Sequence, residues 1–515
     1  MGKTEELRKM MSLDASMKTA DIEARFEQIA QLLFERFAIQ KDGKTYLFKE
    51  IEFYFYNMNH RDIITYPRAS EPLCFHKNEF GGIDLNFKSC IGIVDSADKR
   101  KNSKKYELDD TACFGGILIR QLIRISKEGR EVLSGPMACS DELLKREDAT
   151  DRDMKPYLVE HDNGMVGKIS DARINLLQRK QKVEDKVNTI LGKYLENPAK
   201  EGLYKDFAEF KDKPYRYIRC DALMHDEETD EVYFSPWLNN PDEGDAEFYQ
   251  RLTSLFNKLG VKQKELKATN DYWVRDFMPI QLGKNEFLKY HYYPDYLVNK
   301  NDIKTITDVS KVLRGMGINC RSTELIIDGG NMVACGPYIV MTDKVFTENR
   351  CRKYDPEFKA LLESELRHPV IIIPWTKPKD PKAKDTDKYG HADGFIRWCG
   401  GNRILMGNHG DENPDEAKAI RMKLEDCGFK VTEIRFDDKG DANYNWAYIN
   451  FLQVGKKIIM PTFKNEADEI AQEYIEEAFP GCIIEPIEMS RKIVENGGAL
   501  HCISWNISAP KNESK

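Results

Sequence analysis

The sequence predicts a mixed α/β chain in which a β-rich α+β domain precedes an α/β domain, with a helix between them. Three observations carry this. A length of 515 residues exceeds what a single ordinary hydrophobic core serves. The pattern changes along the chain, from short apolar runs broken by Gly, Asn and Asp to strand-like runs alternating with helical stretches. Between the two textures lies a segment of helical periodicity that should stop by Asn197-Pro198. The expected domains are residues 1–165, β-rich; 166–213, a helical connector; and 214–510, α/β.

Taken in order, Ile22, Phe26, Ile29, Leu33 and Phe37 recur at helical spacing and predict an opening amphipathic helix. The runs Ile51–Tyr56, Gly82–Phe87 and Gly116–Arg120 read as strands. Ser170 is placed as the N-cap of the connector helix, with Leu176, Val183, Val187, Ile190 and Tyr194 on its apolar face. Beyond Tyr215, Val232–Phe234, Val370–Ile373, Ile404–Met406 and Lys457–Met460 read as strands and Glu247–Leu259 as a helix. No repeat of fixed period is visible, and the Lys-Asp run at 377–388 reads as a solvated loop.

Composition narrows the function classes. A 41% hydrophobic and 32% charged chain has the material for a large core in a globular protein. No run approaches the length of a membrane-spanning helix, and Met1 to Ser16 lacks an apolar signal core, so a cytoplasmic protein is expected. The 12 cysteines are scattered singly without a Cys-x-x-Cys pair, which argues for reduced thiols and against structural zinc. The net charge of -8 gives no general attraction for nucleic acid. Its excess lies almost wholly in the C-terminal part, where it favours a cationic ligand.

Four motifs stand out there: Asn270-Asp271-Tyr272-Trp273-Val274-Arg275-Asp276, Ile327-Asp328-Gly329-Gly330-Asn331, Gly390-His391-Ala392-Asp393-Gly394 and Asn496-Gly497-Gly498 through Cys502. Each alone has an ordinary reading: an ion pair, a turn, a cap, a buried thiol. Together they suit one chemistry. His391 and Asp393, two apart on an expected strand, share a face. Asp276 and Asp393 can each accept paired hydrogen bonds from a planar guanidinium. Cys502, beyond a Gly-Gly pair and an expected strand, can attack its central carbon as thiolate. His391 can protonate departing ammonia and then deprotonate water. Zinc is the competing explanation, and no short-spaced ligand pair supports it.

These motifs resemble, in order, those of the agmatine deiminase and Porphyromonas-type peptidylarginine deiminase family of the guanidine-modifying superfamily. Tyr448-Ile449-Asn450-Phe451, Pro461 and Phe479-Pro480-Gly481 also match, so the resemblance covers roughly 214–507. It implies a pentein fold, a five-bladed αβ propeller, and hydrolysis of a guanidine to a ureido group and ammonia, without metal or cofactor, through a covalent Cys thiouronium intermediate. It further implies Cys502 as nucleophile, His391 as general acid/base, and Asp276 and Asp393 as the guanidinium-gripping pair. Trp273, Asp328, Asn331 and Asn450 are implied as substrate-binding or supporting residues. Two departures bear on substrate identity: Phe277-Met278-Pro279 replaces the usual Gly-Pro after Arg-Asp, and Ile503-Ser504-Trp505-Asn506 replaces Ile-Thr-Gln. The expected partner is therefore a small guanidine or arginine-containing substrate, with agmatine, free arginine and peptidyl arginine all open.

The N-terminal part resembles alkyladenine DNA glycosylases in Glu50-Ile51-Glu52-Phe53-Tyr54, Gly116-Ile117-Leu118-Ile119-Arg120 and Gly135-Pro136. That resemblance implies Glu52 as the water-activating carboxylate and duplex nucleic acid as a partner. The near-neutral charge of this part favours instead an accessory or dimerisation domain in which Glu52 is an ordinary strand residue. Three readings thus stand: a guanidine hydrolase, a nucleic-acid repair or binding protein acting through the first domain, and a catalytically silent pentein used for binding.

Overall fold

The apolar spacing near the N-terminus forms the helix Thr19–Arg36, which buries Ile22, Phe26, Ile29 and Leu33 in the computed structural model of the chain. Phe37, expected on that face, opens the strand Phe37–Lys41 instead, its backbone already extended at φ -135° and ψ 152°. The structure describes residues 2–65, 70–78, 80–90, 110–126, 129–144, 155–174, 200–220, 223–297, 299–377 and 389–509. It divides into two compact units, Met1–Cys220 and Asp221–Lys515. Among the described residues no helix is long and apolar enough to cross a membrane.

Among the described residues the first unit is built on a ten-stranded sheet. Its centre is the long antiparallel pair Lys44–Asn57 and Phe114–Ser126, in which Phe53 lies opposite Ile117 and Glu52 opposite Leu118. The pair contains two of the expected strands, and Gly82–Phe87 supplies a third, Ile83–Asn86. Gly115 has a steric reason: a Cβ there would sit 2.1 Å from the Tyr54 carbonyl oxygen, so the strands approach closely only over a bare backbone. Alternation turns Phe53 and Phe55 toward the helix Thr19–Arg36, where the Phe26 and Phe53 rings lie 4.6 Å apart.

The expected connector is corrected at both ends. Ser170 is not an N-cap but part of the strand Lys168–Asp171, whose backbone groups are taken by Arg216–Arg219. Arg216–Arg219 pairs in turn with Lys44–Asn57, so the first unit runs past the boundary expected at 213/214 and ends at Cys220. The helical face of Leu176, Val183, Val187, Ile190 and Tyr194 lies outside the described residues. Lys200–Phe210 is helical and seats Leu203 and Phe207 against Tyr56 and Ile63.

Among the described residues the second unit carries five three-stranded sheets. Four share one plan, a short strand paired antiparallel to a second, which pairs parallel to a third. In the remaining sheet Glu231–Phe234 pairs parallel with Lys262–Glu265, and its antiparallel neighbour comes from the far end of the chain, Trp505–Ile507. A parallel pair cannot be joined by a tight turn, and each is bridged through a helix. These are Ala246–Leu259, Val309–Met316, Pro356–Leu366, Pro414–Asp426 and Ala467–Ala478. The first four open on Asp245, Asp308, Asp355 and Asn413, whose side chains accept the otherwise unpaired N–H groups of the first turn. The strands and the helix expected beyond Tyr215 all fall within elements of this unit. Of the Lys-Asp run, all but Lys377 lies outside the described residues.

One buried ion pair pins the first unit. Arg173 forks onto Asp62, Nη1 donating to Oδ2 at 2.6 Å and Nη2 to Oδ1 at 3.1 Å, with both side chains fully buried. Nη1 and Nη2 also donate to the Phe53 and Phe210 carbonyls, among the described residues Nε has no partner, and the guanidinium lies 4.7 Å from the Tyr54 ring centre. Removing one partner strands the other charge in the interior, a loss of about 3–5 kcal/mol. Asp62→Ala is therefore expected to lower the urea midpoint of this unit by a corresponding amount, and a loss below about 1 kcal/mol would place the pair with solvated surface pairs instead.

Candidate active site

Each sheet of the second unit is entered through a short turn, and the motifs singled out in the sequence occupy those turns. Asp276 lies in the single helical turn Val274–Phe277, ahead of Ile280–Gly283. Asp328 caps the turn Gly329–Asn331, ahead of Val333–Cys335. His391 caps the turn Ala392–Gly394, which contains Asp393 and precedes Ile396–Trp398. Asn450 ends the turn Asn445–Ile449 before Leu452–Val454, and Cys502 stands just before Trp505–Ile507. Two local expectations are corrected. His391 and Asp393 are brought near one another by the single 3-10 turn Ala392–Gly394, with His391 just before it, rather than by sharing one strand face. Cys502 follows the helix Arg491–Glu495, not a strand, and the strand comes after it.

Gly330 marks where these turns converge. A Cβ there would lie 2.8 Å from Asp276 Oδ1, 2.8 Å from His391 Nδ1 and 3.3 Å from Asp393 Oδ1, so three polar atoms surround one bare backbone position. His391 is held at both nitrogens, with Nε2 2.9 Å from Asp328 Oδ2 and Nδ1 3.5 Å from Asp276 Oδ1. Burial would strip its proton, but Asp276 and Asp328 outweigh burial and raise its pKa to about 9. Burial also raises Asp276, to about 7, with Asp328 and Asp393 adding to the rise and His391 opposing it.

Behind this group stands a cation the sequence reading did not select. Lys344 is fully buried, pairs directly with Asp328 and lies 3.0 Å from Glu348. Burial alone would raise Asp328; Lys344 and His391 reverse the effect and hold it at about 2. Glu348 is pushed up to about 8 by burial and by Asp328. The Lys344 ammonium also lies 4.8 Å from the Tyr296 ring centre, and that ring is 6.2 Å from His391. The only sequence sign of this group is the four-residue spacing of Lys344 and Glu348, which commonly marks a solvated helix face.

Asn450 ties Cys502 to the carboxylates. Its Oδ1 accepts from the Cys502 backbone N–H and thiol, both at 3.3 Å, while its Nδ2 donates to the Asp393 carbonyl at 3.3 Å. Asp393 Oδ2 is 2.6 Å from His501 Nδ1, a second link the sequence reading missed. Burial raises Asp393 above the ordinary carboxylate range and lowers His501 well below the ordinary histidine value, so the imidazole is neutral and donates. Burial, then the charges of Asp393 and Asp276, keep the Cys502 thiol well above its ordinary pKa.

Asn331 Oδ1 accepts from the backbone N–H groups of Thr342 and Ala392 at 2.8 and 3.2 Å, bolting two turns together and leaving Nδ2 without a protein partner. Trp273 packs close to the backbone ahead of Cys502: a Cβ on Gly498 would meet its indole at 2.2 Å. All eight residues selected from the sequence thus lie in one connected neighbourhood. Among the described residues no three His, Cys, Asp or Glu side chains converge to hold a metal. In the first unit Glu52 is fully buried, and its oxygens accept from the Tyr54 hydroxyl at 2.8 Å, Arg120 at 3.3 Å and the Ile174 N–H at 2.8 Å. A carboxylate so engaged is a structural acceptor.

The family model for Porphyromonas-type peptidyl-arginine deiminases matches residues 241–508. An agmatine deiminase of Ectopseudomonas mendocina is 23% identical over 224 residues, covering 37% of this chain and 59% of that protein. An uncharacterized protein of Acanthamoeba polyphaga mimivirus is 27% identical over 206 residues, 38% of this chain and 85% of that one. The solved C. jejuni agmatine deiminase with substrate bound is 17% identical, covers 56% of this chain and 96% of its own, and superposes with a TM-score of 0.45. The residues matched by the family model make up more than half of the sequence, and the chain belongs to the Porphyromonas-type peptidyl-arginine deiminase family.

Proposed function

We propose that the chain hydrolyses a small guanidine to the ureido product and ammonia, with Cys502 as nucleophile. The observation that carries this is the convergence of Asp276, His391 and Asp393 on Gly330, with Cys502 tied to Asp393 through Asn450. Two buried carboxylates suit a planar cation whose N–H groups pair with both. Such a cation offsets the charges of Asp276 and Asp393, which hold the Cys502 thiol protonated, so the thiolate forms where a substrate carbon awaits it.

In the proposed sequence the Cys502 thiol releases its proton to solvent as the cation binds, the sulfur bonds to the guanidinium carbon, and His391, charged below pH about 9, gives its proton to the departing amino group, whose C–N bond breaks to free ammonia. Neutral His391 then takes a proton from water, whose oxygen attacks the same carbon and expels the Cys502 thiolate. Asp328 holds the His391 ring through Nε2, and Asn450 keeps the sulfur in place. Trp273 is assigned to the substrate's alkyl chain or guanidinium face, and Asn331 Nδ2 to a polar substrate group. The five sheets are read as the blades of a pentein propeller, and residues 1–220 as an accessory unit. Agmatine is the first substrate to test, since relatives carry that activity in their names, with free and peptidyl arginine beside it.

Purified chain incubated with agmatine, arginine and arginyl peptides is expected to release ammonia and ureido product from at least one. Cys502→Ala should lower turnover by about 10⁴-fold or more, and Asp393→Asn by about 10²–10³-fold. No turnover on the whole panel, or full activity in Cys502→Ala, would sink the reading.

The same geometry fixes a pH profile. Gripping the cation needs ionised Asp276, whose pKa is about 7, and the first proton transfer needs charged His391, whose pKa is about 9. Cys502 also gives up its thiol proton on the way, so the logarithm of kcat/KM should climb steeply below about pH 7, less steeply from there to about pH 9, and level off above it, as macroscopic values of the coupled groups. Asp328→Asn removes a carboxylate that raises His391, so the upper break moves to lower pH. An upper break that stays in place would remove Asp328 from this role.

A further inference from the structure

A cavity of about 330 Å³ lies within the second unit, and none of Asp276, Asp328, His391, Asp393 or Cys502 lines it. Arg275, Arg397 and Arg403 do, with Asp226 and the exposed Glu227 as the acidic groups of its wall. Asp226 is already engaged, its Oδ2 3.0 Å from Arg397 and its Oδ1 accepting from Asn506 Nδ2 at 2.7 Å. Arg275 has no such partner. Its Nη2 donates to the Asn506 side-chain oxygen and its Nε to the His501 carbonyl at 3.5 Å, and among the described residues its Nη1 makes no hydrogen bond and no carboxylate comes within ion-pair distance. Burial pulls this guanidinium below the ordinary arginine value, with Asp226 and Asp393 only partly opposing. A half-buried guanidinium without a counter-charge is held at a cost, and a planar fork with an open edge matches an oxyanion.

We infer that this cavity is a second ligand site, for a small oxyanion bearing a carboxylate or phosphate, anchored on Arg275. The size is adequate: a cavity of about 150 Å³ holds benzene, and this one has about 330 Å³. Its placement links it to the turns that form the candidate active site. Arg275 precedes Asp276, His501 precedes Cys502 and Gly329 follows Asp328, so each dipeptide sends one residue to the cavity and one to the site. Burial raises the Asp393 carboxyl, and His391, then Arg275 and Arg397, oppose it, so the Arg275 charge reaches the site. An anion on Arg275 offsets that charge and strengthens the hold of the carboxylates on a cation; this linkage, unlike the anion site itself, rests on the guanidine reading.

The test is calorimetric titration of the full chain with inorganic phosphate and, separately, with succinate at low ionic strength. Saturable binding of at least one at a single site is expected, retained in Cys502→Ser and weakened at least tenfold in Arg275→Gln. Phosphate alone binding assigns the site to phosphate compounds, and succinate alone to carboxylates. Saturable binding of neither, or unchanged affinity in folded Arg275→Gln, would overturn the proposal. Should Arg275→Gln fail to fold, alkylation of the wall residue Cys482, located by peptide mass, serves on the wild-type chain: the bound anion is expected to slow it severalfold, and no slowing overturns the site. Saturating anion should also tighten agmatine binding to Cys502→Ser severalfold. Agmatine that binds with unchanged affinity removes the linkage, whereas agmatine that fails to bind removes the guanidine reading while phosphate or succinate binding still decides the anion site.

Discussion

The ladder between Trp505–Ile507 and Glu231–Phe234 is the constraint on which the second unit depends. It sets Tyr233 opposite Trp505 and Val232 opposite Asn506, completing the first sheet with residues from the far end of the unit. Side chains lock the register: the Trp505 indole donates to the Pro279 carbonyl at 2.8 Å, and Asn506 Nδ2 donates to Asp226 and to the Gln453 carbonyl. Cys502 lies immediately upstream, and its carbonyl accepts from the Arg275 N–H at 3.1 Å. The closure that finishes the fold therefore also carries the cysteine to the turn holding Asp276. A cysteine on a free C-terminal tail would have to meet that turn against the entropy of a long open chain.

Charge distribution decides what the assembled turns can do. Asp276, Asp328, Asp393 and Glu348 are buried together with Lys344 and His391 as their near cations. The ions are not shared evenly. Asp328 takes both cations and stays ionised far below neutrality, while Asp276 and Asp393, with weaker compensation, are raised by burial. A cluster of this composition leaves the pair nearest the open position short of positive charge, and a ligand bearing it gains what the protein does not supply. Lys344 thus has a double effect, fixing Asp328 as a permanent anion and thereby making it a firm partner for His391.

The order of motifs was legible because each consists of residues that only a close backbone approach or a buried polar contact requires. Gly329, Gly330 and Gly498 are cases: added Cβ atoms would strike Arg275, Asp276 and Trp273. The neighbourhood of His391 and Asp393 was anticipated from strand alternation, and the structure reaches it through a turn, since Gly394 interrupts any strand pattern there. The recurrence of the sheets was not legible. It resides in the pairing plan, while the stretches joining parallel strands differ in length, as between His291 and Arg321 and between Thr462 and Ile483, so no period survives in the sequence. Lys344 and His501 were missed because burial of a charged or titratable side chain is a tertiary property. The end of the first unit was misplaced because Arg216–Arg219 belongs to a ladder whose partners lie far upstream.

The protonated state of Cys502 is the point at which stability and proposed reactivity meet. Placing a thiolate beside Asp393 and Asp276 in a buried site would add a third negative charge to a group already short of cations, which is why burial and these two carboxylates keep the thiol intact. A constitutively ionised cysteine would be exposed to oxidants at all times. Here the proposed nucleophile depends on a ligand that compensates Asp276 and Asp393 together, and a cation too small to reach both leaves one charge facing the sulfur. On the proposed reading, the two carboxylates assigned to the substrate also select it, because a ligand spanning both lowers the barrier to forming the thiolate.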